Sequence, residues 1–161
     1  MTKVEKALYY AKKQIQNFGV YVWGGQGEKL KKLTALKLAA MEDTEENAAR
    51  VIKFIKKNLK KFTKYSRIFD CSGFVICCLI YAGVLPSGYD NTANGLLRKF
   101  NQINFHERQP GDLVFKYSNG SAYHVGILID KDTVAECAGR DKGLILSDLN
   151  DSWNRFNRPT Y

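Results

Sequence analysis

Two residues far apart in the sequence have the types and surroundings that a nucleophile and its base require. Cys71 stands in the run Asp70-Cys71-Ser72-Gly73, and an apolar stretch that favours a helix begins there. At a helix N-terminus, unpaired N–H groups and the positive end of the dipole stabilise a thiolate. The same N–H groups could hold the oxyanion of a tetrahedral intermediate. This position favours a cysteine nucleophile, although sequence spacing alone leaves open a buried structural cysteine.

A catalytic thiol needs a base, which is usually histidine, and the chain has two. His124 begins an apolar strand, a rigid place for the ring, whereas His106 lies in a polar stretch and is predicted to be a surface residue. Glu136 lies on the next predicted strand, where pairing can bring its carboxylate beside His124 and favour a thiolate–imidazolium pair. The alternative for Glu136 is an ordinary strand carboxylate that faces solvent.

Composition describes a globular protein of one domain. The chain has 161 residues, of which 45% are apolar and 25% charged. No apolar stretch is long enough to cross a bilayer, and no secretory signal follows Met1, so we expect synthesis in the cytoplasm without a signal peptide. The four cysteines form no CxxC pair and no zinc-like spacing, so neither a metal, a cofactor nor a disulfide framework is predicted. Cys77 and Cys78 are predicted to be small apolar residues of a buried helix.

The net charge of +9 favours an anionic partner, and it does not choose among nucleic acid, a membrane surface and an anionic cell-wall polymer. Nucleic acid is not predicted, because no RNA- or DNA-binding signature appears and aromatic residues are not interleaved with the basic run.

The first half of the chain is predicted to be helical. Residues 2–16 show helical spacing of apolar residues, and a short extended stretch follows at 19–25. Residues 28–41 and 43–62 are predicted as two helices, and together they form a basic helical hairpin over 28–64. In the second helix, Val51, Phe54, Ile55 and Leu59 share one face, and lysines occupy the rest.

Strands dominate the second half. A helix is predicted from Cys71 to about Ala82, with Gly83 closing it, and another over 91–100 capped by Asn91 or Thr92. Alternation and turn residues then predict strands at 113–117, 123–129, 133–137 and 144–147. The fold class is therefore α+β, with helices packed on an antiparallel sheet.

Three ordered blocks carry a family resemblance: Asp70-Cys71-Ser72-Gly73-Phe74-Val75, then 109–115 (QPGDLVF), then His124-Val125-Gly126-Ile127. They resemble the signature blocks of the NlpC/P60 family of cysteine peptidases. The segment 21–25 (YVWGG) resembles the stretch that precedes the cysteine block in that family. The resemblance covers residues 1–26 and 68–161.

The resemblance implies a papain-like fold and cleavage of bacterial cell-wall stem peptides, often between D-glutamate and the following diamino acid. It implies Cys71 as nucleophile and His124 as base. Tyr21 would line the site and shape the oxyanion region, and Asp70 and Ser72 would contact the substrate. The alternatives are a core aromatic for Tyr21, a helix cap for Asp70 and a first-turn capping hydroxyl for Ser72.

Two departures from the family pattern qualify this interpretation. The third catalytic position is usually histidine, and here Glu136 occupies it. The hairpin at 28–64 stands where a short loop is expected; it either covers one flank of the core, lines the substrate groove, or holds the protein on anionic wall polymers.

The predicted function is a peptidoglycan endopeptidase that acts at the cell wall, as a phage or prophage endolysin or an autolysin. The alternatives are an N-acetylmuramoyl-L-alanine amidase on the same fold, a toxin-like effector, and a non-catalytic basic module that binds cell wall or nucleic acid.

Overall fold

The computed structural model describes residues 1–161 and combines five α-helices with two sheets. The helices are α1 (Lys3–Gln16), α2 (Ala35–Met41), α3 (Glu45–Lys57), α4 (Cys71–Tyr81) and α5 (Ala93–Lys99). The strands are β1 (Val20–Tyr21), β2 (Gln26–Lys29), β3 (Arg67–Phe69), β4 (Asn101–Gln102), β5 (Leu113–Ser118), β6 (Ser121–Leu128), β7 (Thr133–Cys137), β8 (Leu144–Asp148) and β9 (Arg155–Arg158). The predicted α+β class, with helices against an antiparallel sheet, is confirmed.

The large sheet has strand order β4-β9-β5-β6-β7-β8 with antiparallel neighbours. Helix α4 packs between this sheet and α1, which explains why it is apolar on nearly every side. The opposite face of the sheet carries a smaller cluster that includes Val114, Leu128 and Trp153. The helix and sheet thus fix Cys71, at the start of α4, relative to the strands that carry His124 and Glu136.

Local signals explain most of the predicted elements. Thr2 begins α1 with a capping box that also involves Glu5. Thr92, rather than Asn91, caps α5 through the Gly95 N–H. The turn between β5 and β6 places Asn119 and Gly120 at positive φ, as a tight hairpin requires.

The inserted segment differs from the prediction at its start. Residues 28–41 do not form one helix, because Lys29 belongs to β2 and pairs with Arg67 of β3 in a small sheet of order β1-β3-β2. A short 3-10 turn, Leu30–Lys32, follows, and α2 begins only after the Thr34 cap. The prediction therefore missed a strand and its partner β3, whose three residues are too short to show an alternating pattern.

The second predicted helix is also shorter than expected. Helix α3 ends at Lys57 and a 3-10 turn, Leu59–Lys61, follows. Val51 and Phe54 are buried as predicted, but Leu59 is 63% exposed because the helical register stops before it. The buried residues of α2 and α3 form a separate core with the small sheet. The lysines at the end of α3 and in the following 3-10 turn are all exposed: Lys53, Lys56, Lys57, Lys60 and Lys61.

Strand β9 was not predicted. It pairs with β5 and is tied to the start of that strand by an ion pair between Arg158 and the buried Asp112, with Nε 2.8 Å from Oδ1. No helix in the chain combines the length and the apolar character that crossing a membrane requires.

Candidate active site

Cys71 is the first residue of α4, and Asp70 is its cap. The Oδ1 atom of Asp70 accepts the Gly73 N–H at 2.7 Å, and Oδ2 accepts the Gly24 N–H at 3.1 Å. Asp70 thus caps the helix and also ties it to the turn that follows β1. The turn and helix touch so closely that a Cβ on Gly73 would lie 2.1 Å from the carbonyl oxygen of Gly25.

Burial dominates the electrostatics of the Cys71 thiol. Burial raises the pKa of Cys71 to about 11, and the nearby Asp70 carboxylate acts in the same direction. Backbone N–H groups, including those of Val125 and Ser72, lower this pKa but do not offset burial. The helix start therefore lowers the pKa of the Cys71 thiol as the sequence predicts, but burial has the larger effect.

His124 and Glu136 form a buried pair on neighbouring strands. Nε2 of His124 lies 2.5 Å from Oε2 of Glu136. Because Ile127 pairs with Ala135, the register puts Glu136 opposite Gly126 and diagonal to His124, on the same face of the sheet. Glu136 does not face solvent, since it is only 5% exposed.

Two side chains that the sequence analysis did not single out complete this pair. Ser147 on β8 donates its hydroxyl to Oε1 of Glu136 at 2.5 Å. Burial raises the pKa of Glu136, but the hydrogen bonds from His124 and Ser147 outweigh burial and hold it below its ordinary value. Trp153 packs on the His124 ring, with ring centroids 5.3 Å apart. Same-face alternation along β8 could have indicated Ser147, whereas Trp153 lies in a loop with no local signal.

Gly126 makes this arrangement possible. A Cβ at Gly126 would lie 2.4 Å from Cγ1 of Val134 and 3.3 Å from the Trp153 ring. The absence of a side chain there lets the Trp153 ring and the Glu136 carboxylate both reach His124. The glycine of the His124-Val125-Gly126-Ile127 block thus has a packing role.

A cleft of about 410 Å³ opens beside Cys71. Its two charged lining residues, Asp70 and Asp90, are both acidic, although the whole chain is basic. Its lining includes Tyr21, Trp23, Asp70, Cys71, Ser72, Asp90 and Tyr123. The structure therefore brings the predicted residues Tyr21, Asp70 and Ser72 into one lining with Cys71, whereas His124 and Glu136 do not line this cleft.

The three predicted substrate contacts also have structural roles. Tyr21 is half-buried and packs against the main core, and burial raises the pKa of its hydroxyl. The Ser72 hydroxyl donates to Oδ1 of Asp70 at 3.3 Å and does not cap the helix itself. Of the other candidates, His106 is exposed on a 3-10 turn as predicted, and Cys78 is buried. Cys77 is only half-buried, and its thiol donates to the Gln26 carbonyl.

Comparison with known proteins identifies the family. The model of the NlpC/P60 family matches residues 18–157. The chain belongs to the NlpC/P60 family. This confirms the resemblance drawn from the sequence blocks, and the match also includes the segment that carries α2 and α3.

Solved structures of NlpC/P60 domains share the fold. The P60 domain of antigen MAP1204 from M. avium subspecies paratuberculosis has a TM-score of 0.59 at 19% identity, with 96% of each chain covered. The peptidoglycan hydrolase RipB from Mycobacterium tuberculosis has a TM-score of 0.62 at 19% identity, covering 98% of this chain and 67% of RipB. RipD from the same organism, described as a non-catalytic NlpC/p60 domain protein adapted to peptidoglycan binding, has a TM-score of 0.63 at 15% identity, with 98% of each chain covered. No curated protein sequence matches the chain.

Proposed function

We propose that this NlpC/P60 domain is a cysteine endopeptidase that hydrolyses the stem peptide of bacterial peptidoglycan, at the bond between D-glutamate and the diamino acid. The observation that carries the proposal is the hydrogen bond between His124 and the buried carboxylate of Glu136, two residues of the proposed triad. A carboxylate at 5% exposure needs hydrogen bonds that offset its desolvation, and His124 and Ser147 provide them while fixing the orientation of the histidine ring.

The tautomer that Glu136 selects fits this chemistry. With Nε2–H donated to the carboxylate, the lone pair of Nδ1 is free to accept the Cys71 proton as sulfur attacks the scissile carbonyl. N–H groups at the start of α4 stabilise the oxyanion, and the Tyr21 hydroxyl is the second candidate donor. The imidazolium then protonates the leaving amine and the C–N bond breaks. Water, deprotonated by His124, hydrolyses the thioester and restores the thiol.

The acidic cleft favours a substrate that carries an amine. Asp70 and Asp90 lie in a lining without Lys or Arg, so the cleft attracts a cation despite the basic surface. A stem peptide offers such groups at the diamino acid and, once freed from the sugar, at L-alanine.

We also propose that the basic segment 28–64 holds the protein on anionic wall polymers. It carries eleven of the 25 Lys and Arg residues and five of the 16 Asp and Glu residues, which is +6 of the net +9. Lys53, Lys56 and Lys57 are exposed, and each lies on the outer face of α3 without an ion pair. Action at the cell wall after cytoplasmic synthesis, as a phage or prophage endolysin or an autolysin, is part of the same proposal.

A non-catalytic wall-binding role is the second candidate, because RipD, described as a non-catalytic NlpC/p60 domain protein adapted to peptidoglycan binding, shares the fold, and because burial raises the pKa of the Cys71 thiol. An amidase that cuts between muramic acid and L-alanine would use the same residues.

Digestion of purified cell walls separates the three functions. Wild type, Cys71→Ser and the matched control Cys77→Ser are incubated with walls, and the soluble fragments are read by mass spectrometry. We expect fragments with a new amino terminus on the diamino acid, formed by wild type and Cys77→Ser and lost in Cys71→Ser. A free L-alanine terminus would indicate the amidase. Wall binding without any release of fragments by wild type would contradict the enzymatic proposal.

A further inference from the structure

A buried ion pair joins the inserted segment to the cleft. Glu42 ends α2, and its side chain is fully buried, with 0% exposure. Its Oε2 atom accepts hydrogen bonds from Nε and Nη2 of Arg140, at 2.9 and 2.6 Å. Arg140 comes from the loop between β7 and β8, so one carboxylate joins two segments 98 positions apart.

The same pair reaches two residues of the cleft. Oε1 of Glu42 accepts the Trp23 N–H at 3.0 Å, and the Arg140 guanidinium lies 5.1 Å from the centroid of the Tyr21 ring. Tyr21 and Trp23 both line the cleft that contains Cys71. Trp23 is 52% exposed, so it presents its ring to whatever occupies that cleft.

Two carboxylates fix the turn after β1, because each accepts a hydrogen bond from one of two consecutive backbone N–H groups. Glu42 accepts from Trp23 and Asp70 accepts from Gly24. Asp70 belongs to the helix that carries the nucleophile, whereas Glu42 belongs to the insertion. The position of Trp23 relative to Cys71 therefore depends on both.

We propose that Glu42 and Arg140 are positioning residues: they fix Tyr21 and Trp23 in the cleft wall, so that the inserted helices govern substrate binding without touching substrate. The proposal rests on the proposed hydrolase function. The segment 28–64 would then position residues of the cleft, a role separate from the wall binding proposed for its surface lysines.

A neighbouring ion pair supplies a matched control. Arg50 of α3 and Asp141 join the same two segments, with Nη2 2.6 Å from Oδ2, and both side chains are largely exposed. This pair contacts no cleft residue. Asp141→Asn therefore breaks a link between the segment 28–64 and the β7–β8 loop and leaves the wall of the cleft intact.

Kinetics on a soluble stem peptide test the positioning role. Because misplacement of a binding group by about 1 Å can cost up to roughly 100-fold, we expect Glu42→Ala and Arg140→Lys to lower kcat/KM by about 10- to 100-fold. The loss should appear mainly as a higher KM, since Cys71, His124 and Glu136 are untouched. Glu42→Gln keeps one acceptor oxygen, so it can retain either the Trp23 or the Arg140 hydrogen bond and should recover part of the loss. Asp141→Asn should match wild type.

A double variant distinguishes positioning from stability. Replacing a buried ion pair by apolar residues of similar size often preserves stability, so Glu42→Leu/Arg140→Met should melt near the wild-type temperature. We still expect its KM to be raised, because Trp23 and Tyr21 have lost their anchors. Wild-type melting together with wild-type KM would overturn the proposal.

Fluorescence gives a readout that does not depend on activity. Trp153 is 3% exposed, so acrylamide quenching and the fast decay of anisotropy report mainly on Trp23. We expect faster local motion of Trp23 in Glu42→Ala and in the double variant but not in Asp141→Asn. Unchanged Trp23 motion in folded variants would contradict the positioning role even if the wild-type protein proves inactive. If Trp23 is loosened but wild type cuts no wall, the proposed function fails and the positioning role stands.

Discussion

Glu136 is diagonal to His124 across two antiparallel strands, and its carboxylate lies 2.5 Å from the ring nitrogen. With Nε2 committed to the carboxylate, Nδ1 is the nitrogen that the proposed mechanism uses as the proton acceptor. In the proposed triad the third position is therefore a carboxylate.

Glu136→Gln should lower kcat by roughly 100-fold or more, since general acid–base catalysis contributes about 10²- to 10⁴-fold and depends on the correct tautomer. The amide side chain has the same size, so the fold should persist. Hydrolysis of a soluble stem peptide measures the change. Ser147→Ala, which removes a donor from the other oxygen of Glu136, is the milder control, with an expected loss of about tenfold or less. An equal and small effect of both variants would show that the third position is dispensable.

The contribution of Glu136 to stability should depend on pH. Its pKa is lowered in the folded protein, because the hydrogen bonds from His124 and Ser147 exceed the cost of burial. A lowered folded-state pKa means that the stabilisation is present above the ordinary value of 4.5 and is lost as the pH falls through the folded-state value. Urea unfolding of wild type and Glu136→Gln should therefore differ at pH 7 and converge below pH 4.5. A difference that grows on acidification would contradict this sign.

Alkylation of Cys71 by iodoacetamide should become faster well above neutral pH. Burial raises the pKa of Cys71 to about 11, so the thiolate fraction rises about tenfold per pH unit below that value. Cys77 has a similarly raised pKa and is half-buried, so the measurement uses a Cys77→Ala variant. Mass spectrometry of the labelled peptide gives the rate at each pH. A plateau already present near pH 7 would mean that a thiolate–imidazolium pair exists before substrate binds.

Gly126→Ala should reduce activity although Gly126 does not line the cleft. The added methyl group meets Val134 and Trp153, which must move and disturb the contacts of the His124 ring. Overpacking of this kind costs about 1 to 3 kcal/mol of unfolding free energy. Gly88→Ala is the control: it has open space around it and only the cost of a positive φ. Loss of kcat in Gly126→Ala beyond its loss of folded protein is the expected result, and full activity would contradict it.

Substitution of Lys53, Lys56 and Lys57 by glutamine should weaken sedimentation with purified walls while hydrolysis of a soluble stem peptide is unchanged. The difference between the triple variant and wild type should shrink as salt rises to about 0.5 M, since exposed charges are screened within a few ångströms at such concentrations. Lys3, Lys12 and Lys13, which are exposed on α1, provide a substitution of equal charge for comparison. If both triple variants bound purified walls equally weakly, wall binding would depend on the net charge of the protein and not on the segment 28–64.

The sequence predicted those parts of the site that depend on local signals. The helix start at Cys71 and the alternating strands around His124 and Glu136 are readable because caps, turns and periodicity act within a few residues. Residues 28 and 29 were predicted as helix although they belong to β2, because the pairing of β2 with β3 joins residues about forty positions apart. The short β3 offers no period to detect.

Contacts between distant segments could not be predicted from the sequence, for the same reason. Glu42 and Arg140 are ordinary charged residues until the fold buries them together, and nothing near either one indicates a partner. Trp153 likewise gains its role only when the turn before β9 folds over His124. The burial of Cys71, which raises the pKa of its thiol more than the helix N-terminus lowers it, likewise depends on packing between distant segments.

The contact between Gly73 and the Gly25 carbonyl has a consequence for engineering the specificity of this domain. No side chain fits at either position, so directed evolution of the cleft has to leave both glycines unchanged and keep the spacing between the turn and the nucleophile. Diversity is best introduced at Trp23, Asp90 and Tyr123, whose side chains reach the cleft from three separate segments. A library at those three positions would sample new peptide substrates on a catalytic frame that the two glycines hold constant.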